Sequence, residues 1–263
     1  MSGPAAGLPR LIRLSEVGST NHYLKDHGAS LPHGTVCCTG RQTAGRGRLG
    51  KSWTAPDGAT LAMSVLLRDG PMGEPLALLP LLSGLAVVRA LDRLAGPDED
   101  HPDPYGIKWP NDIICSGRKI CGILCETCLV GSSGFAVAGI GINLLQDQCD
   151  FDQAGLPHAV SVRLCRGFAP ALEETALAVG GELCSLWEQH GASGFRPLLP
   201  EFLSRCVTVG RSVRIHPTNG APPLEGEAVG VDVDGRLLVR ALDGGLITVN
   251  AGEASVRGLY GYC

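Results

Sequence analysis

Residues 106–115 read Gly-Ile-Lys-Trp-Pro-Asn-Asp-Ile-Ile-Cys, and residues 119–130 read Lys-Ile-Cys-Gly-Ile-Leu-Cys-Glu-Thr-Cys-Leu-Val. Both stretches are rich in β-forming residues, and a Ser-Gly turn separates them, which predicts two paired runs of strand. Residues 135–144 predict a third strand with a glycine-rich end. Pairing of the first two runs would bring Lys119 close to Lys108 and Asp112. The sequence therefore predicts a sheet that gathers cations and a carboxylate at one place.

The chemistry of these strands has two open interpretations. Lys108-Trp109-Pro110-Asn111-Asp112 combines a cation, an amide and a carboxylate, and the proline restricts the backbone. An aspartate beside several cations can hold Mg²⁺ bound to phosphates, but it can also form a structural salt bridge. Gly139-Ile140-Gly141-Ile142-Asn143 is equally open between a flat backbone edge of a site and tight strand packing.

Residues 45–50, Gly-Arg-Gly-Arg-Leu-Gly, match the pattern GxGxxG. A dinucleotide site requires a helix to begin at the third glycine, but residues 51–58 contain proline, aspartate and glycine and predict a turn. We therefore reject a Rossmann fold. Four of the 22 basic residues fall between Arg41 and Lys51, and no acidic residue occurs from His27 to Pro56. Arginines interleaved with glycines favour a loop that closes over an anion, rather than a merely solvated face.

Helices are predicted from Ser19 to Gly28 and over residues 75–94, 172–190 and 195–206. From residue 207 the chain changes to short strands and turns, with Asp234-Gly235 as a hairpin turn. The aspartates beside this turn lack the other ligands of a calcium loop. We expect two domains, a main domain over 1–206 and a small β-barrel over 207–263.

Composition narrows the class of protein. The 263 residues carry a formal net charge of -4, with 18% charged and 44% hydrophobic residues, which describes a globular chain and not a generally basic nucleic-acid binder. We recognise neither a signal peptide nor an apolar stretch of roughly 20 residues, so we expect a cytoplasmic protein without a membrane span. The eleven cysteines, including the pair Cys125 and Cys128, are interpreted as buried thiols, because no second CxxC supports a zinc or redox site.

Five elements together resemble biotin protein ligases over residues 15–144: Glu16–Asn21, Gly45–Gly50, Lys108–Asp112, Arg118–Gly122 and Gly139–Asn143. The C-terminal segment resembles the small SH3-like domain of that family. The resemblance implies an α+β fold, a class-II-synthetase-like mixed sheet flanked by helices, plus a small C-terminal SH3-like β-barrel.

The resemblance also implies a ligase that forms a carbon–nitrogen amide bond. Biotin reacts with ATP to give biotinyl-5'-AMP, with Mg²⁺ present, and biotin then passes to a lysine of a biotin carboxyl carrier domain. The expected carrier belongs to acetyl-CoA carboxylase or a related carboxylase. Homodimerisation by sheet pairing occurs in the family and stays open here.

Site residues follow from the same resemblance, position by position. Lys119, Arg48 and Lys108 are the expected catalytic cations, and Asp112 is a candidate for positioning the metal. Lys51 replaces an arginine that is usual in the family's loop, and this change keeps the charge but loses the bidentate fork. The expected biotin contacts are Ser19, Thr20, Asn21, Gln42, Gly45, Arg46, Gly47, Arg48, Lys119, Gly122 and Gly139; the expected ATP contacts are Arg48, Lys51, Trp53, Asn111, Lys119 and Asn143.

Three other functions were weighed. A lipoate–protein ligase shares the adenylate chemistry, but residues 45–50 and 108–112 favour biotin. A DNA-binding repressor needs a helix-turn-helix of roughly 50 to 60 residues, whereas 18 residues precede Ser19, so we expect neither DNA binding nor repression. A biotin-binding protein without catalysis is disfavoured by Lys119, Asn111 and Asp112.

Overall fold

The computed structural model describes residues 9–50, 52–53, 55–68, 77–96, 105–130, 133–218, 221–251 and 254–258. Single 3-10 turns occur at Gly28–Ser30 and Arg48–Gly50. In chain order the strands and α-helices are β1 Leu11–Arg13, α1 Thr20–His27, β2 Val36–Thr39, β3 Thr60–Leu67, α2 Leu79–Ala95, β4 Tyr105–Lys108, β5 Asp112–Cys115, β6 Arg118–Val130, β7 Ser133–Asn143, α3 Gln148–Gln153, α4 Val162–Arg166, α5 Leu172–Ser193, α6 Leu199–Arg205, β8 Ser212–Pro217, β9 Leu224–Val231, β10 Leu237–Ala241, β11 Leu246–Val249 and β12 Ala254–Gly258.

Strands β1 to β7 form one mixed sheet in the order β1-β2-β3-β7-β6-β5-β4. The pair β1–β2 is parallel and every other neighbouring pair is antiparallel. The single run predicted over residues 106–115 is in fact two strands, because Pro110 lacks the N–H of a ladder and the chain turns at residues 109–111. The segment Lys108–Asp112 is therefore the turn of a hairpin, next to β6.

The large sheet is covered on both faces. All eight residues of β3 are buried, and their side chains alternate between the two faces of the sheet with the period of two that a strand imposes. Leu61, Met63, Val65 and Leu67 join the main core beneath α2 and α5, whereas Leu66 packs with Leu24 of α1 on the opposite face. The predicted α+β architecture, a mixed sheet flanked by helices, is confirmed.

Strands β8 to β12 form a second, antiparallel sheet in the order β11-β10-β9-β8-β12. The predicted turn at Asp234-Gly235 joins β9 to β10, and Gly235 has φ of 78°, which favours glycine. Asp232 forms an ion pair with Arg236 at 2.8 Å, so its carboxylate has a structural partner. In the described part of this sheet no pairing joins β11 to β12, so closure into an SH3-like barrel stays a prediction.

The sequence analysis missed the two short helices α3 and α4. Ser161 caps α4 by accepting a hydrogen bond from the backbone N–H of Leu164, and Gly167 ends that helix with a left-handed φ of 71°. The intervening chain runs beside β6, as described below. None of the helices in the described ranges is both long and apolar enough to cross a membrane.

Candidate active site

A pocket opens on the face of the large sheet that carries α1, over the middle of β3, β7 and β6. Its floor consists of the small residues Ala62, Gly141 and Gly122, which pair in one row, and of Gly139 in the next row, where it pairs with the buried Ser64. The pocket holds about 530 Å³ of empty space, including the part open to solvent.

The alternation Gly-Ile-Gly-Ile in β7 explains this floor. Because side chains of a strand point to opposite faces in turn, Gly139 and Gly141 face the pocket, whereas Ile140 and Ile142 are buried in the main core. Ile140 and Ile142 therefore provide the tight strand packing, while a role of Gly139 and Gly141 in a binding site stays a prediction. Gly141 was not among the predicted site residues, although the alternation would have identified it.

Trp53 lies across the small-residue floor. A Cβ atom on Gly141 would lie 2.7 Å from Cε2 of Trp53, and one on Gly122 would lie 3.0 Å from Cζ3 of the same ring. The ammonium of Lys119 is 5.7 Å from the ring centroid, within the range of a cation–π contact. The indole N–H is buried and has no hydrogen-bond partner among the described residues. Gly141 therefore cannot take a side chain unless the indole moves, and at Gly122 the ring and Lys119 leave only a tight fit.

The two ends of the arginine–glycine loop are joined at Gly45 and Trp53. The backbone N–H of Trp53 donates to the carbonyl of Gly45 at 2.9 Å, and Arg46 forms a β-bridge with Ser52. A Cβ atom on Gly45 would lie 2.3 Å from the Trp53 carbonyl oxygen, so this crossing needs glycine. The loop is therefore a hairpin-like closure with one 3-10 turn, in agreement with the rejection of a dinucleotide fold.

Arg48 joins this loop to two other parts of the chain. Its Nη1 donates to Oδ1 of Asn111 at 2.9 Å, and its Nη2 donates to the carbonyl of Ala251 in the C-terminal domain. Burial lowers the pKa of Arg48, and the negative charge of Asp112 opposes that shift. A guanidinium stays protonated in proteins, so Arg48 presents a partly desolvated positive charge at the pocket.

Lys119 and Asp112 form the charged centre of the pocket. Their Nζ and Oδ1 atoms are 2.6 Å apart, which confirms the expected proximity of these residues across the hairpin. The backbone of Lys119 is also held on its other side, by the carbonyl of His158 at 2.7 Å and the N–H of Val160 at 3.0 Å. Lys108 is opposite Asp112 in the strand register and is 8% exposed, but it does not line the pocket.

The opposite end of the pocket is polar and uncharged. The hydroxyl of Ser64 lies 2.7 Å from Oγ1 of Thr20 and 2.6 Å from Oδ1 of Asn21. The backbone N–H of Thr20 donates to Oε1 of Gln42 at 2.9 Å. Ser19 caps α1 through the N–H of His22, so the start of this helix is fixed beside the pocket. Ser64 lies in a strand that carries no recognisable motif, and the sequence analysis missed it.

The orientation of Asn21 is fixed by contacts on β6. Its Nδ2 donates to the carbonyl of Leu124 at 3.1 Å and to Oε2 of Glu126 at 2.7 Å. Burial would raise the pKa of Glu126, but hydrogen bonds from Lys25 and Asn21 hold it below the usual value. A Cβ atom on Gly139 would lie 2.2 Å from Oδ1 of Asn21, so a side chain there would collide with Asn21 first. Glu126 is a second supporting residue that the sequence analysis missed.

The pocket gathers most of the residues that the resemblance assigned to it. Four of them do not line it, namely Gly45, Lys108, Asp112 and Asn143. Gly45 packs against the Trp53 backbone at the base of the loop, Asp112 contacts Lys119, Lys108 is paired with Asp112 in the strand register, and Asn143 is buried. Asn143 donates to the carbonyl of Val160 at 3.2 Å and accepts from Gln146 at 2.9 Å. Lys51 is outside the described residues. The predicted residues that line the pocket are Ser19, Thr20, Asn21, Gln42, Arg46, Gly47, Arg48, Trp53, Asn111, Lys119, Gly122 and Gly139.

No group of three or more histidine, cysteine, aspartate or glutamate side chains in the described ranges could hold a metal ion. Cys125 and Cys128 both lie on β6, and burial raises the pKa of Cys125 to about 12. These observations agree with structural cysteines. A metal at this pocket would need ligands from a bound substrate as well as from Asp112.

Family models and individual relatives both assign the chain to the same family. Residues 15–143 match the biotin/lipoate A/B protein ligase family, and residues 208–257 match the biotin protein ligase C-terminal domain. The Mycobacterium tuberculosis biotin–[acetyl-CoA-carboxylase] ligase is 32% identical over 95% of this chain and 90% of its own length. The Bacillus subtilis bifunctional ligase/repressor BirA is 32% identical over 88% of this chain and 68% of its own length.

Solved structures support this assignment. The Aquifex aeolicus biotin protein ligase in complex with biotin and ATP is 28% identical, has a TM-score of 0.75, and the match covers 95% of this chain and 99% of that one. The Leishmania major enzyme in complex with biotinyl-5-AMP is 26% identical, has a TM-score of 0.64, and the match covers 92% and 99%. On the agreement of both sequence and fold, the chain belongs to the biotin protein ligase family and is a ligase.

Proposed function

We propose that this chain converts biotin and ATP to biotinyl-5'-AMP and transfers the biotin to a lysine of a biotin carboxyl carrier domain. The observation that carries the proposal is one pocket with a polar, uncharged end at Thr20, Asn21 and Gln42 and a charged end at Lys119 and Arg48. A ligand with a polar ring, an apolar tail and a carboxylate that must meet a phosphate matches this arrangement. The names of the relatives support acetyl-CoA carboxylase or a related carboxylase as the source of the carrier.

The polar end of the pocket is the proposed site of the biotin ring system. Donors and acceptors of Thr20, Asn21 and Gln42 are already oriented by hydrogen bonds, which reduces the entropy lost on binding. Arg46 and Gly47 line the same pocket and belong to the loop that covers the tail in this proposal. The full proposed set of biotin contacts is Ser19, Thr20, Asn21, Gln42, Gly45, Arg46, Gly47, Arg48, Lys119, Gly122 and Gly139.

Lys119 is the proposed catalytic cation of the first step. A carboxylate oxygen of biotin attacks the α-phosphorus of ATP, and pyrophosphate leaves with the electron pair of the broken bond. Two anions must approach each other, so a positive charge between them stabilises the transition state more than the separate substrates. Arg48, in the loop, adds a second positive charge. Lys108, opposite Asp112 in the strand register and outside the pocket lining, adds a third.

The nucleotide end lies over Trp53 and Asn111. The indole offers a flat apolar face to the adenine, and the amide of Asn111 is held by Arg48 and by the carbonyl of Ile123 at 3.1 Å. We place Lys51 and Asn143 in the same set by resemblance. In the second step the carrier lysine, in its neutral form, attacks the acyl carbon; AMP leaves with the bonding electron pair, and the amine loses a proton.

The donors near the charged end fit Mg²⁺ held mainly by phosphates. Magnesium commonly takes one or two protein carboxylates and completes its shell with water and phosphate oxygens, and Asp112 supplies one such carboxylate. When bound, the ion would neutralise phosphate charge. Asp112 also positions Lys119, so it would serve both cations.

Several further expectations belong to the same proposal. The catalytic domain would span 1–206, and an SH3-like C-terminal domain would span 207–263. We expect no repressor activity, and the expected cytoplasmic location and a homodimer formed by sheet pairing are predictions too. Binding of operator DNA by the purified chain would contradict the expected absence of repressor activity. Sedimentation would test the homodimer.

The deciding experiment uses mass spectrometry. A biotin carboxyl carrier domain is incubated with the chain, ATP, Mg²⁺ and biotin, while a parallel tube contains lipoate. We expect a gain of one biotinyl group on the acceptor lysine that requires ATP. Lipoate transfer without biotin transfer would reassign the pocket to a lipoate ligase. Tight binding of biotin without pyrophosphate release would reduce the protein to a biotin-binding module.

A further inference from the structure

Trp109 connects the turn between β4 and β5 to the C-terminal sheet. It is 1% exposed, and its indole Nε1–H donates to the carbonyl of Gly235 at 3.0 Å. Its backbone N–H donates to Oγ1 of Thr208 at 2.9 Å. Both acceptors belong to the C-terminal part of the chain, more than ninety positions away in sequence. Hydrogen bonds to the C-terminal part of the chain therefore fix the position of Trp109, although Trp109 is only two positions from Asn111 in the sequence.

A second connection between the pocket and the C-terminal sheet passes through Arg48. Arg48 donates to the Asn111 side chain and to the carbonyl of Ala251, which follows β11. A path therefore runs from Gly235 to Trp109 by a hydrogen bond and along the chain through Pro110 to Asn111. It continues by hydrogen bonds from Asn111 to Arg48 and from Arg48 to Ala251. The loop that covers the pocket and the turn that carries Asn111 are both attached to the same second domain.

The junction between the large sheet and the C-terminal sheet is closely packed at Gly235 and at Gly106. A Cβ atom on Gly235 would lie 2.6 Å from Cδ2 of Leu78, and one on Gly106 would lie 2.2 Å from Cγ1 of Val207. The backbone N–H of Val207 also donates to the carbonyl of Ile107 at 3.0 Å. Packed contacts with so little free space pass a displacement on instead of absorbing it.

We propose that Trp109 is a positioning residue that couples the C-terminal sheet to the Arg48 loop, so that the second domain holds the nucleotide end of the pocket in its closed arrangement. The indole N–H is the connecting group. Without it, the Gly235 carbonyl loses its donor. The turn that carries Asn111 keeps its hydrogen bonds to Ile123 and Thr208 but loses its bond to the turn between β9 and β10, so the contact between Asn111 and Arg48 breaks more easily. The catalytic consequence rests on the proposed function, whereas the coupling itself does not.

The test replaces Trp109 with phenylalanine, which keeps an aromatic ring and removes the N–H. Trp187 provides a matched control: it is 3% exposed and its Nε1–H also donates to a backbone carbonyl, that of Arg68, at 3.0 Å. Hydrogen–deuterium exchange is measured without substrates. We expect W109F to speed exchange of residues 45–50 by about 10-fold, the cost of one unsatisfied buried carbonyl, while W187F leaves that loop unchanged. Equal exchange of the loop in wild type and W109F would overturn the coupling.

Pyrophosphate release adds a functional readout. For W109F we expect the KM for ATP to rise about 10-fold, with the KM for biotin within about twofold, because only the nucleotide end depends on Asn111. An equal rise in both constants, or the same rise in W187F, would overturn a positioning role. If W109F does not fold, Thr208→Val removes the other acceptor and should give the same pattern more weakly. A wild-type chain that releases no pyrophosphate would refute the proposed function and leave the exchange result valid.

Discussion

Lys119 holds two kinds of contact before any substrate is present. The Asp112 carboxylate lies 2.6 Å from its ammonium, and the Trp53 ring lies 5.7 Å from it at the other side. The side chain is 24% exposed, so part of its charge is already desolvated. A phosphate entering the pocket would meet an oriented ammonium and would not have to reorganise a flexible one.

Replacement of Lys119 by alanine should lower the rate of adenylation by about 10²- to 10³-fold, as for loss of one oriented electrostatic donor. The readout is pyrophosphate release at saturating biotin and ATP. Arg205 gives the control, because its ion pair with Asp92 at 2.8 Å has a similar exposure, 20%, away from the pocket. A rate for Lys119→Ala close to that of Arg205→Ala would refute the catalytic role.

A second residue predicts how stability depends on pH. His190 is 7% exposed near the end of α5; burial lowers the pKa of its imidazole below 6.5, and a backbone contact at Gly194 opposes the shift. The unfolded chain then binds the proton more readily than the folded one. Stability should therefore fall as the pH drops through about 6.5, and the loss is complete below the folded pKa.

Urea unfolding of wild type and His190→Phe at about pH 7.5 and about pH 5 measures this contribution. We expect the free energy of unfolding of the variant to fall less between the two pH values. The remaining histidines and the carboxylates are common to both proteins, so they cancel in the comparison. An identical fall in both would contradict the predicted proton uptake at His190.

At the scale of elements, contacts with the sheet decide which glycines are needed. In α5, Gly180 and Gly181 are neighbours, yet a Cβ atom on Gly180 would lie 2.5 Å from Cγ2 of Val36, and one on Gly181 would have nothing within 4 Å. The helix faces β2 at Gly180 and faces away from it one residue later, because each residue turns the helix by about 100°.

These two glycines make a matched pair of substitutions. Gly181→Ala should stabilise the protein by about 0.5–1 kcal/mol, because alanine restricts the unfolded chain and fits the helix. Gly180→Ala should destabilise it by about 1–3 kcal/mol, since the added methyl overpacks the contact with Val36. Denaturant midpoints of the two variants measure both values, and a stabilised Gly180→Ala would show that the helix moves away from the sheet at little cost.

At the scale of the whole molecule, the tertiary structure buries half of the ten thiols in the described residues. Cys37, Cys38, Cys115, Cys121 and Cys206 are buried, whereas Cys149 is exposed. Burial raises the pKa of Cys37 and of Cys125 to about 12, so almost no thiolate forms there near neutral pH. No motif in the sequence explains each cysteine separately. The buried cysteines lie in the core, where a free thiol packs as a small apolar side chain does.

Alkylation should therefore be selective. With iodoacetamide at about pH 8, Cys149 should react before Cys37 and Cys125, because Cys149 is exposed and burial raises the pKa of the other two thiols. Peptide mass spectrometry over time gives the order, and the urea-unfolded chain is the control, in which the differences should disappear. Cys125 reacting as fast as Cys149 in the folded protein would revive a redox role for Cys125 and Cys128.

The sequence by itself determined what depends on neighbours along the chain. Ser19 predicted the start of α1, Asp234-Gly235 predicted a hairpin turn, and residues 45–50 were recognised as a loop and not as a strand-to-helix turn. Local rules set these features, because capping and turn geometry involve residues a few positions apart. The order of the five motifs was enough to suggest the family that the comparisons then showed.

Only the tertiary structure decided what depends on residues far apart. Ser64 and Glu126 reach Asn21 from positions 43 and 105 residues away, and neither has a local signal. The contact of Arg48 with Ala251 spans 203 residues, and that of Trp109 with Gly235 spans 126. Such contacts follow from how the two sheets pack together, and packing depends on the whole chain at once, so no short stretch of sequence encodes it.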